Sequence, residues 1–263
     1  MSETPVRLDV AGGVGTITLD SPANRNALSR VLVEGLREQL DAALADARVR
    51  VIVLTGTGNT FCAGADLKEQ REANAAGDSA AMVASAQRLI GIFKSIWFSP
   101  KPVVGRINGH ARAGGIGLVC ACDITVASEA ATFGFSEVRL GLVPAVISVL
   151  ALRKIGLTRG MEYVLTGENI PAAEAVRLGM LNAVTSADLL DAAVERYTGM
   201  LLQGGPQALA LCKQLVRDVP ALSLDAGFEL AAELNPRMFA SPEALEGMTA
   251  FAEKRPPRWT ELP

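Results

Sequence analysis

The sequence predicts an α/β protein in which buried parallel strands alternate with helices. Short continuous apolar runs occur at Val51–Leu54, Pro102–Ile107 and Ile124–Ala127, as expected of strands that are buried on both faces of a parallel sheet. Helical patterns lie between these runs, and the strand–helix–strand order implies right-handed crossovers. In the C-terminal part of the chain helical patterns dominate, which predicts helices packed on an α/β core.

The first predicted elements are a hairpin and a helix. Apolar residues alternate with charged ones from Val6 to Val10, Gly12-Gly13 forms a turn, and Val14–Leu19 supplies a second strand. From Ser29 to Arg48 leucines recur at every fourth position, which is the pattern of a helix with one apolar face. Before the second and third buried strands, further helices are expected around Met82–Ile96 and from about Gly115.

Helical patterns then follow one another to the end of the chain. They lie at Arg159–Leu165, Pro171–Leu178, Leu189–Leu202, Pro206–Val216 and Leu222–Leu234. We therefore expect an α/β core over residues 1–195 and a C-terminal helical segment over residues 196–263.

Composition narrows the classes of function. Apolar residues make up 49% of the 263 residues, so a large core can be buried, and disorder is a poor interpretation. A formal net charge of −3 provides no basic surface for a nucleic-acid backbone. No apolar run approaches the roughly 20 residues that span a bilayer, and the N-terminus lacks the pattern of a signal peptide. We expect no nucleic-acid or membrane partner and a cytoplasmic location.

Cysteine and histidine are too few and too scattered for a metal site. The four cysteines show no CxxC spacing, and His110 is the only histidine, so a zinc site is not expected. A hydrolase triad is also disfavoured, because His110 alone could serve as its base.

Two glycine-containing segments follow two of the predicted buried strands. They are Phe61–Leu67 and Asn108–Gly117, and neither fits a Walker loop or a dinucleotide fingerprint. Each alone indicates only a tight turn. Together, at neighbouring strand ends, they could aim two backbone N–H groups into one cleft, and the second opens a helix whose N-terminus favours an anionic oxygen. Such an oxyanion hole suits a thioester whose carbonyl becomes an enolate.

A series of motifs in a fixed order then identifies a family resemblance. The motifs are Ser21–Leu28, Phe61–Asp66, Val104–Gly109, Gly114-Gly115, Cys122-Asp123, Phe133-Gly134, Ser136-Glu137, Leu140–Pro144 and Leu165–Gly167. With these motifs the chain resembles the enoyl-CoA hydratase/isomerase, or crotonase, superfamily over nearly its whole length. The resemblance implies a crotonase-like spiral of β-β-α units and a C-terminal helical trimerisation segment. It also implies a homotrimer or dimer of trimers, and an acyl-CoA thioester substrate with no cofactor beyond the coenzyme A that belongs to it.

The resemblance also assigns site residues. By motif position the oxyanion N–H groups fall on Ala65 and Gly114. The residues along the path of the CoA moiety are Arg25, Ala27, Ala63, Asp66 and Leu67. In the family an aromatic residue and a lysine of the C-terminal helix complete the nucleotide pocket, often across a subunit boundary, and Phe251 and Lys254 match this pattern.

The catalytic carboxylates determine which reaction is expected. A typical hydratase of the family carries two glutamates, one to activate water and one to deliver a proton to the α-carbon. The second falls on Glu137, whereas the first falls on Gly117, which has no side chain. Polar groups that could substitute are Ser136, Glu129, Arg139 and Ser148. His110 is a further candidate base.

We predict a hydratase that adds water across the 2,3 double bond of an enoyl-CoA with a single glutamate. The segments around Gly117 and Glu137 also resemble a bacterial subgroup assigned to methylglutaconyl-CoA hydration. A branched or carboxylated acyl group is therefore expected, with Arg112 or Arg139 as its cationic partner. The alternatives are a Δ3,Δ2-enoyl-CoA isomerase that uses the same glutamate, and a catalytically weak CoA-thioester-binding protein.

Overall fold

The computed structural model describes residues 5–261 and confirms the predicted α/β class. Its strands are β1 (Val6–Ala11), β2 (Val14–Leu19), β3 (Val51–Gly56), β4 (Thr60–Cys62), β5 (Val103–Ile107), β6 (His110–Arg112), β7 (Ile124–Ser128), β8 (Thr132–Gly134), β9 (Asn169–Pro171) and β10 (Ala183–Thr185). Its α-helices are α1 (Arg30–Ala45), α2 (Leu67–Ala75), α3 (Ser79–Trp97), α4 (Gly114–Ala121), α5 (Ala145–Ile155), α6 (Leu157–Thr166), α7 (Ala172–Arg177), α8 (Leu190–Gln203), α9 (Pro206–Asp218), α10 (Leu224–Phe239) and α11 (Pro242–Glu253).

The larger sheet contains the strands that the sequence predicts. Its order is β1-β2-β3-β5-β7-β10, with an antiparallel β1–β2 hairpin and parallel pairing from β2 onward. The three apolar runs form β3, β5 and β7, and every residue of β3 is buried. Burial on both faces explains why these strands are mostly apolar.

A second, smaller sheet has the order β4-β6-β8-β9. Strands β4, β6 and β8 are parallel, whereas β9 pairs antiparallel with β8. Each of these strands has only three residues, which is too short for a readable periodicity, so no pattern in the sequence predicts this sheet. Of the glycine-containing segments, Phe61–Leu67 continues from β4 of this smaller sheet, and Asn108–Gly117 follows β5 of the larger sheet and contains β6 of the smaller one.

Helices cover the larger sheet as their apolar faces predict. In α1, the leucines Leu32, Leu36 and Leu40 are buried, and the helix begins after Ser29, whose hydroxyl accepts the N–H of Leu32 at 3.3 Å. Between β4 and β5 the single predicted helix is replaced by two, α2 and α3. The break contains Gly77, which has a φ of +66°.

The C-terminal helices are joined to the core at α8 and α9. Helix α8 packs against β3, β5 and β7, and it runs without a break through Glu195 and Arg196. The division at residues 195 and 196 thus falls inside a helix, and two separate segments stay a prediction. In α9, Lys213 Nζ lies 2.6 Å from a carboxylate oxygen of Asp123, which follows α4.

Residues 5–261 contain neither a membrane-spanning helix nor a cluster of metal-ligating side chains. No helix in this range is long and apolar enough to cross a membrane. Likewise, no group of three or more His, Cys, Asp or Glu side chains within these residues is arranged to hold a metal ion.

Candidate active site

A cavity of about 460 Å³ opens where the ends of the small-sheet strands meet the starts of α2, α4 and α5. Eight of the predicted site residues line it: Arg25, Ala27, Ala63, Ala65, Asp66, Leu67, Gly114 and Glu137. The predicted residues Gly117, Phe251 and Lys254 are not in its lining. The structure thus brings together the predicted oxyanion loops, the predicted glutamate and most of the predicted CoA path.

The three candidate catalytic positions follow three adjacent parallel strands. Ala65 comes shortly after β4, Gly114 follows β6, and Glu137 comes shortly after β8. Because the carboxyl ends of parallel strands meet at one edge of a sheet, these positions converge on the cavity. The short sheet therefore organises the site, although the sequence does not predict it.

The first loop is held by the segment that precedes α1. The N–H of Ala63 donates to the carbonyl of Arg25 at 3.1 Å, and the N–H of Leu28 donates to the carbonyl of Gly64 at 2.7 Å. The amide of Asn26 fixes this segment in turn, because its Nδ2 donates to the carbonyls of Thr57 and Thr60. The N–H of Ala65 donates to no acceptor within residues 5–261 and is free for a ligand.

The second loop ends in an unusual backbone conformation. Ala113 has a φ of +45° and a ψ of −119°, a region that non-glycine residues rarely adopt and that costs about 1–3 kcal/mol. Its N–H donates to the carbonyl of Gly134 at 3.1 Å, which ties the end of β6 to the end of β8. Helix α4 then begins at Gly114, whose N–H has no acceptor in the described chain. This N–H also carries the partial positive charge of a helix start.

The two loops touch each other. A Cβ placed on Gly114 would lie 3.9 Å from the Cα of Gly64, the neighbour of Ala65. Two unpaired N–H groups thus come from adjoining loops at one cavity wall, which is the arrangement needed to hold a carbonyl oxygen that gains negative charge.

Glu137 supplies a half-buried carboxyl group, one oxygen of which lacks a hydrogen-bond partner among the described residues. It lies in the 3₁₀ turn Ser136–Leu140, and its Oε2 is inaccessible to solvent and accepts no hydrogen bond from the described residues. Burial raises the pKa of Glu137 above its ordinary value. Buried polar atoms are usually paired, so an unpaired carboxyl oxygen in a cavity indicates a chemical role rather than a structural one.

Asp66 provides the other carboxyl group in the cavity lining, and its role is structural. Its Oδ1 accepts the N–H groups of Lys68 and Glu69 at 3.0 and 3.2 Å, so it caps α2. Of the four polar substitutes considered from the sequence, only Ser136 lines the cavity. Among the described cavity-lining residues, Glu137 is therefore the carboxyl group available for proton transfer.

Phe93 occupies the space beside Gly117. A Cβ at position 117 would lie 2.6 Å from Cε2 and 2.9 Å from Cε1 of Phe93, far inside van der Waals contact. The ring thus fills the volume into which a side chain at 117 would extend. Position 117 therefore supplies no carboxylate, and the ring of Phe93 occupies the space that a side chain there would take.

The two arginines and the histidine considered from the sequence have hydrogen-bond partners elsewhere. The guanidinium of Arg112 donates to the carbonyl of Thr132 at 2.6 Å and to its hydroxyl at 2.7 Å. Arg139 donates to the carbonyl of Thr166 at 3.3 Å. The Nδ1 of His110 lies 2.9 Å from the hydroxyl of Thr132. None of these three side chains lines the cavity.

The structure adds residues that sequence reasoning missed. Asn24 lines the cavity beside Arg25, and its Oδ1 is buried without a hydrogen-bond partner in the described chain. The segment Leu140–Ile147 forms another wall. Both overlap motifs that carry the family resemblance, Ser21–Leu28 and Leu140–Pro144, but the residue types alone, a turn asparagine and apolar residues, indicate no role in the site.

Phe251 and Lys254 lie at the end of α11, outside the cavity lining. Phe251 is 87% exposed, and Lys254 adopts a left-handed conformation as it ends the helix. Their delivery to the nucleotide pocket of a neighbouring subunit stays a prediction, and the exposure of Phe251 is compatible with it.

The fold and the site together define an enzyme class that stabilises an oxyanion with backbone N–H groups beside an acid/base carboxyl. The enoyl-CoA hydratase/isomerase family model matches residues 9–262, and the chain belongs to this family. A 2,3-dehydroadipyl-CoA hydratase of Escherichia coli is 33% identical, with 92% of each chain covered. A Thermus thermophilus relative with an enoyl-CoA hydratase designation is 36% identical, with 94% of this chain and 98% of the relative covered. The crystal structure of an enoyl-CoA hydratase from Shewanella pealeana superimposes with a TM-score of 0.92 at 32% identity, covering 97% of this chain and 96% of the other.

Proposed function

We propose that this enzyme is an enoyl-CoA hydratase that adds water across the 2,3 double bond with Glu137 as its single acid/base group. The observation that carries the proposal is that the unpaired Glu137 carboxyl lines the same cavity as the free N–H groups of Ala65 and Gly114. The hydratase designations of the relatives support the same reaction.

The proposed chemistry begins at the thioester carbonyl. The two N–H groups hold its oxygen and stabilise the negative charge that develops as the double bond is polarised. The proposed step starts from the protonated carboxyl group, a form that burial of Glu137 favours over the charged one. Water adds its oxygen to the β-carbon, one carboxyl oxygen accepts a proton from that water, and the other oxygen delivers its proton to the α-carbon. The carboxyl group is thereby restored in the same step.

The second candidate is isomerisation of a 3-enoyl to a 2-enoyl thioester. It is favoured because the other carboxylate among the described lining residues, that of Asp66, caps α2 and is not free to orient water. Glu137 would remove a proton from the α-carbon and return it to the γ-carbon, with the same two N–H groups holding the enolate oxygen. A third outcome is thioester binding without turnover.

The acyl group is less constrained. A branched or methylglutaconyl-like substrate remains part of the proposal, but its expected cationic partners Arg112 and Arg139 lie outside the cavity lining. Arg25 is the basic side chain among the described lining residues. A carboxylated acyl group would therefore need a cation that the sequence did not indicate.

We infer a homotrimer or dimer of trimers from the surface of the C-terminal helices. Leu224, Phe228 and Phe251 are 81%, 71% and 87% exposed, and large exposed apolar side chains of this kind favour contact with another subunit. A cytoplasmic location stays a prediction, and a human relative has a mitochondrial designation.

The test is a panel assay in heavy-oxygen water with crotonyl-, longer 2-enoyl-, 3-enoyl- and 3-methylglutaconyl-CoA. Incorporation of one labelled water that is lost in Glu137→Gln is the expected result. Glu129→Gln is the matched control, because Glu129 is an exposed glutamate outside the cavity. Isomerised product without label would establish the second candidate, and thioester binding without turnover of any substrate would overturn both.

A further inference from the structure

Hydration by a single carboxyl group leaves the orientation of the attacking water undetermined. In the proposed reaction one oxygen of Glu137 accepts a proton from the water, and the other delivers a proton to the α-carbon. A single hydrogen bond to the carboxyl group lets the water rotate about that bond, so its lone pair is not held toward the β-carbon. Because a displacement of about 1 Å can cost about 10²-fold in rate, a second polar contact to the water is expected in the cavity.

Few polar side chains line the active-site cavity. Besides Glu137, those among the described lining residues are Asn24, Arg25, Asp66 and Ser136. The carboxylate of Asp66 is engaged by two N–H groups at the start of α2. A guanidinium carries donors only, so Arg25 cannot accept a hydrogen bond from water. Asn24 and Ser136 are therefore the remaining side chains that could hold the water.

Asn24 belongs to the segment that supports the first oxyanion loop. The carbonyl of the next residue, Arg25, accepts the N–H of Ala63 in that loop at 3.1 Å. The loop follows β4, whereas Glu137 follows β8, and β6 lies between these two strands. Neighbouring strands lie about 4.8 Å apart, so the loop and Glu137 leave the sheet about 10 Å from each other. A water in contact with Glu137 is thus closer to residues that follow β8 than to Asn24.

Ser136 is the immediate neighbour of Glu137 in the chain. The two are the first residues of the 3₁₀ turn Ser136–Leu140, and both line the cavity. Their Cα atoms are about 3.8 Å apart, and successive side chains of a 3₁₀ turn point about a third of a turn away from each other. The two side chains therefore approach the cavity from different directions. A water bound to the carboxyl group lies within reach of the neighbouring hydroxyl.

The hydroxyl of Ser136 is available for this contact. Ser136 is half-buried, and its hydroxyl forms no hydrogen bond with any other residue of the described chain. It does not cap the 3₁₀ turn either, because the capping position is Phe135. By contrast, the hydroxyl of Ser148 donates to the carbonyl of Ala145 at 2.9 Å. A free serine hydroxyl offers a ligand one donor and two acceptor lone pairs.

We propose that Ser136 orients the attacking water for addition to the double bond. Its Oγ accepts a hydrogen bond from one O–H of the water, while the other O–H gives its proton to the Glu137 carboxyl group. As the water oxygen bonds to the β-carbon, the π bond breaks and the α-carbon takes the proton of the second carboxyl oxygen. The O–H held by Ser136 stays on the product as its hydroxyl group, so Ser136 gains and loses no proton. This role rests on the proposed function, because it assumes hydration by Glu137.

The test separates addition of water from proton transfer at the α-carbon. Hydration of crotonyl-CoA needs both, whereas exchange of the α-protons of saturated butyryl-CoA with D₂O needs Glu137 and the oxyanion loops but no added water. Ser136→Ala removes the hydroxyl, and Ser136→Thr keeps it. Ser148→Ala is the matched control, because Ser148 lies outside the cavity lining and its hydroxyl is already paired.

We expect Ser136→Ala to lower kcat for hydration by about 10²-fold while α-proton exchange stays at the native rate. Ser136→Thr and Ser148→Ala should hydrate crotonyl-CoA at close to the native rate. Hydration by Ser136→Ala at the native rate would overturn the inference, as would a loss in Ser136→Thr as large as that in Ser136→Ala. A parallel loss of hydration and exchange would also overturn it, because Ser136 would then act on Glu137 rather than on the water.

The native enzyme tests the proposed function in the same experiment. Failure of the native enzyme to add water, with exchange retained, would overturn hydration and with it the role of Ser136. Equal hydration by the native enzyme and by Ser136→Ala would instead overturn only the role of Ser136. Comparison of the native enzyme with this variant therefore distinguishes the two failures.

Discussion

The Cβ position of Gly64 lies 2.8 Å from the Cβ of Ala113, so the two oxyanion loops are in contact at a point where no larger residue fits. The same Cβ position lies 2.8 Å from the carbonyl oxygen of Arg112. Gly64 also has a φ of +88°, which glycine adopts at no steric cost. One glycine therefore sets both the shape of the first loop and its distance from the second.

Replacing Gly64 with alanine should push the loops apart and misalign the N–H groups of Ala65 and Gly114. Loss of one oxyanion donor costs about 10²–10³-fold in kcat, and we expect a loss of that size. Steady-state kinetics with the best thioester of the panel measures it. Gly12→Ala is the control, because Gly12 also has a positive φ but nothing lies within 4 Å of its Cβ position. Equal activity losses in the two variants would contradict the contact argument.

Glu137→Gln should stabilise the folded protein at neutral pH while it abolishes turnover. Burial raises the pKa of Glu137 above its ordinary value of 4.5, so the folded state binds this proton more tightly than the unfolded chain. The contribution of Glu137 to the free energy of unfolding therefore falls as pH rises above 4.5 through the raised folded-state pKa. We expect Glu137→Gln to be more stable than the native protein at pH 7, because the amide carries no charge that burial disfavours.

Urea unfolding of both proteins between pH 4 and pH 8 measures this difference. The stability gap between them should close toward the acid end, where the carboxyl group is protonated in both folded and unfolded states. A gap that is constant across this range would show that Glu137 does not titrate differently on folding. Glu129→Gln, a glutamate substitution at an exposed position, is the control.

Gly117→Ala should destabilise the protein because its Cβ would collide with the ring of Phe93. Overpacking of a buried site costs about 1–3 kcal/mol. The cost should shrink in a Phe93→Leu background, and a double-mutant cycle measures the coupling. Gly199→Ala in α8 is the control, since nothing lies within 4 Å of its Cβ position, and alanine should stabilise that helix by about 0.5–1 kcal/mol. The same cost for Gly117→Ala in both backgrounds would show that Phe93 is not the obstacle.

Lys213→Ala should weaken the attachment of α9 to the core. Its ammonium group lies 2.6 Å from Asp123, whose carboxylate also accepts the N–H of Val103 at 2.7 Å. Burial raises the pKa of Asp123 and lowers that of Lys213, so neither charge is well solvated without the other. Removing one partner of a buried pair costs about 3–5 kcal/mol.

The combination of Lys213→Met with Asp123→Asn should recover most of that stability, because no buried charge is left unpaired. Chemical unfolding of the single and double variants measures the recovery. A double variant less stable than Lys213→Ala would contradict the assignment of the loss to the uncompensated carboxylate.

The features that the sequence predicts well are those with a long-range pattern. The leucine spacing of α1 and the apolar runs of β3, β5 and β7 reflect burial over many residues, and the structure confirms them. The oxyanion loops are also predicted as neighbours, because glycines at strand ends are a local signal. Of the residues assigned by motif position, Glu137, Ala65 and Gly114 line the cavity, whereas Gly117, Phe251 and Lys254 do not.

The features that the sequence does not predict depend on contacts between distant segments. Strands β4, β6 and β8 are set by their partners rather than by their own short patterns. The space beside Gly117 is filled by Phe93 from another helix, and no local signal links these two positions. Similarly, no pattern in the sequence indicates that the carboxylate of Asp66 caps α2.

The common origin of the site in the small sheet has a dynamic consequence. Because Ala65, Gly114 and Glu137 extend from the paired strands β4, β6 and β8, thermal displacement of that sheet carries all three groups together. The distances among these three groups should therefore change little when the surrounding helices fluctuate. Local unfolding of the sheet would separate all three groups at once. Protection of the His110–Arg112 amides from hydrogen exchange and catalytic activity should therefore be lost at the same temperature.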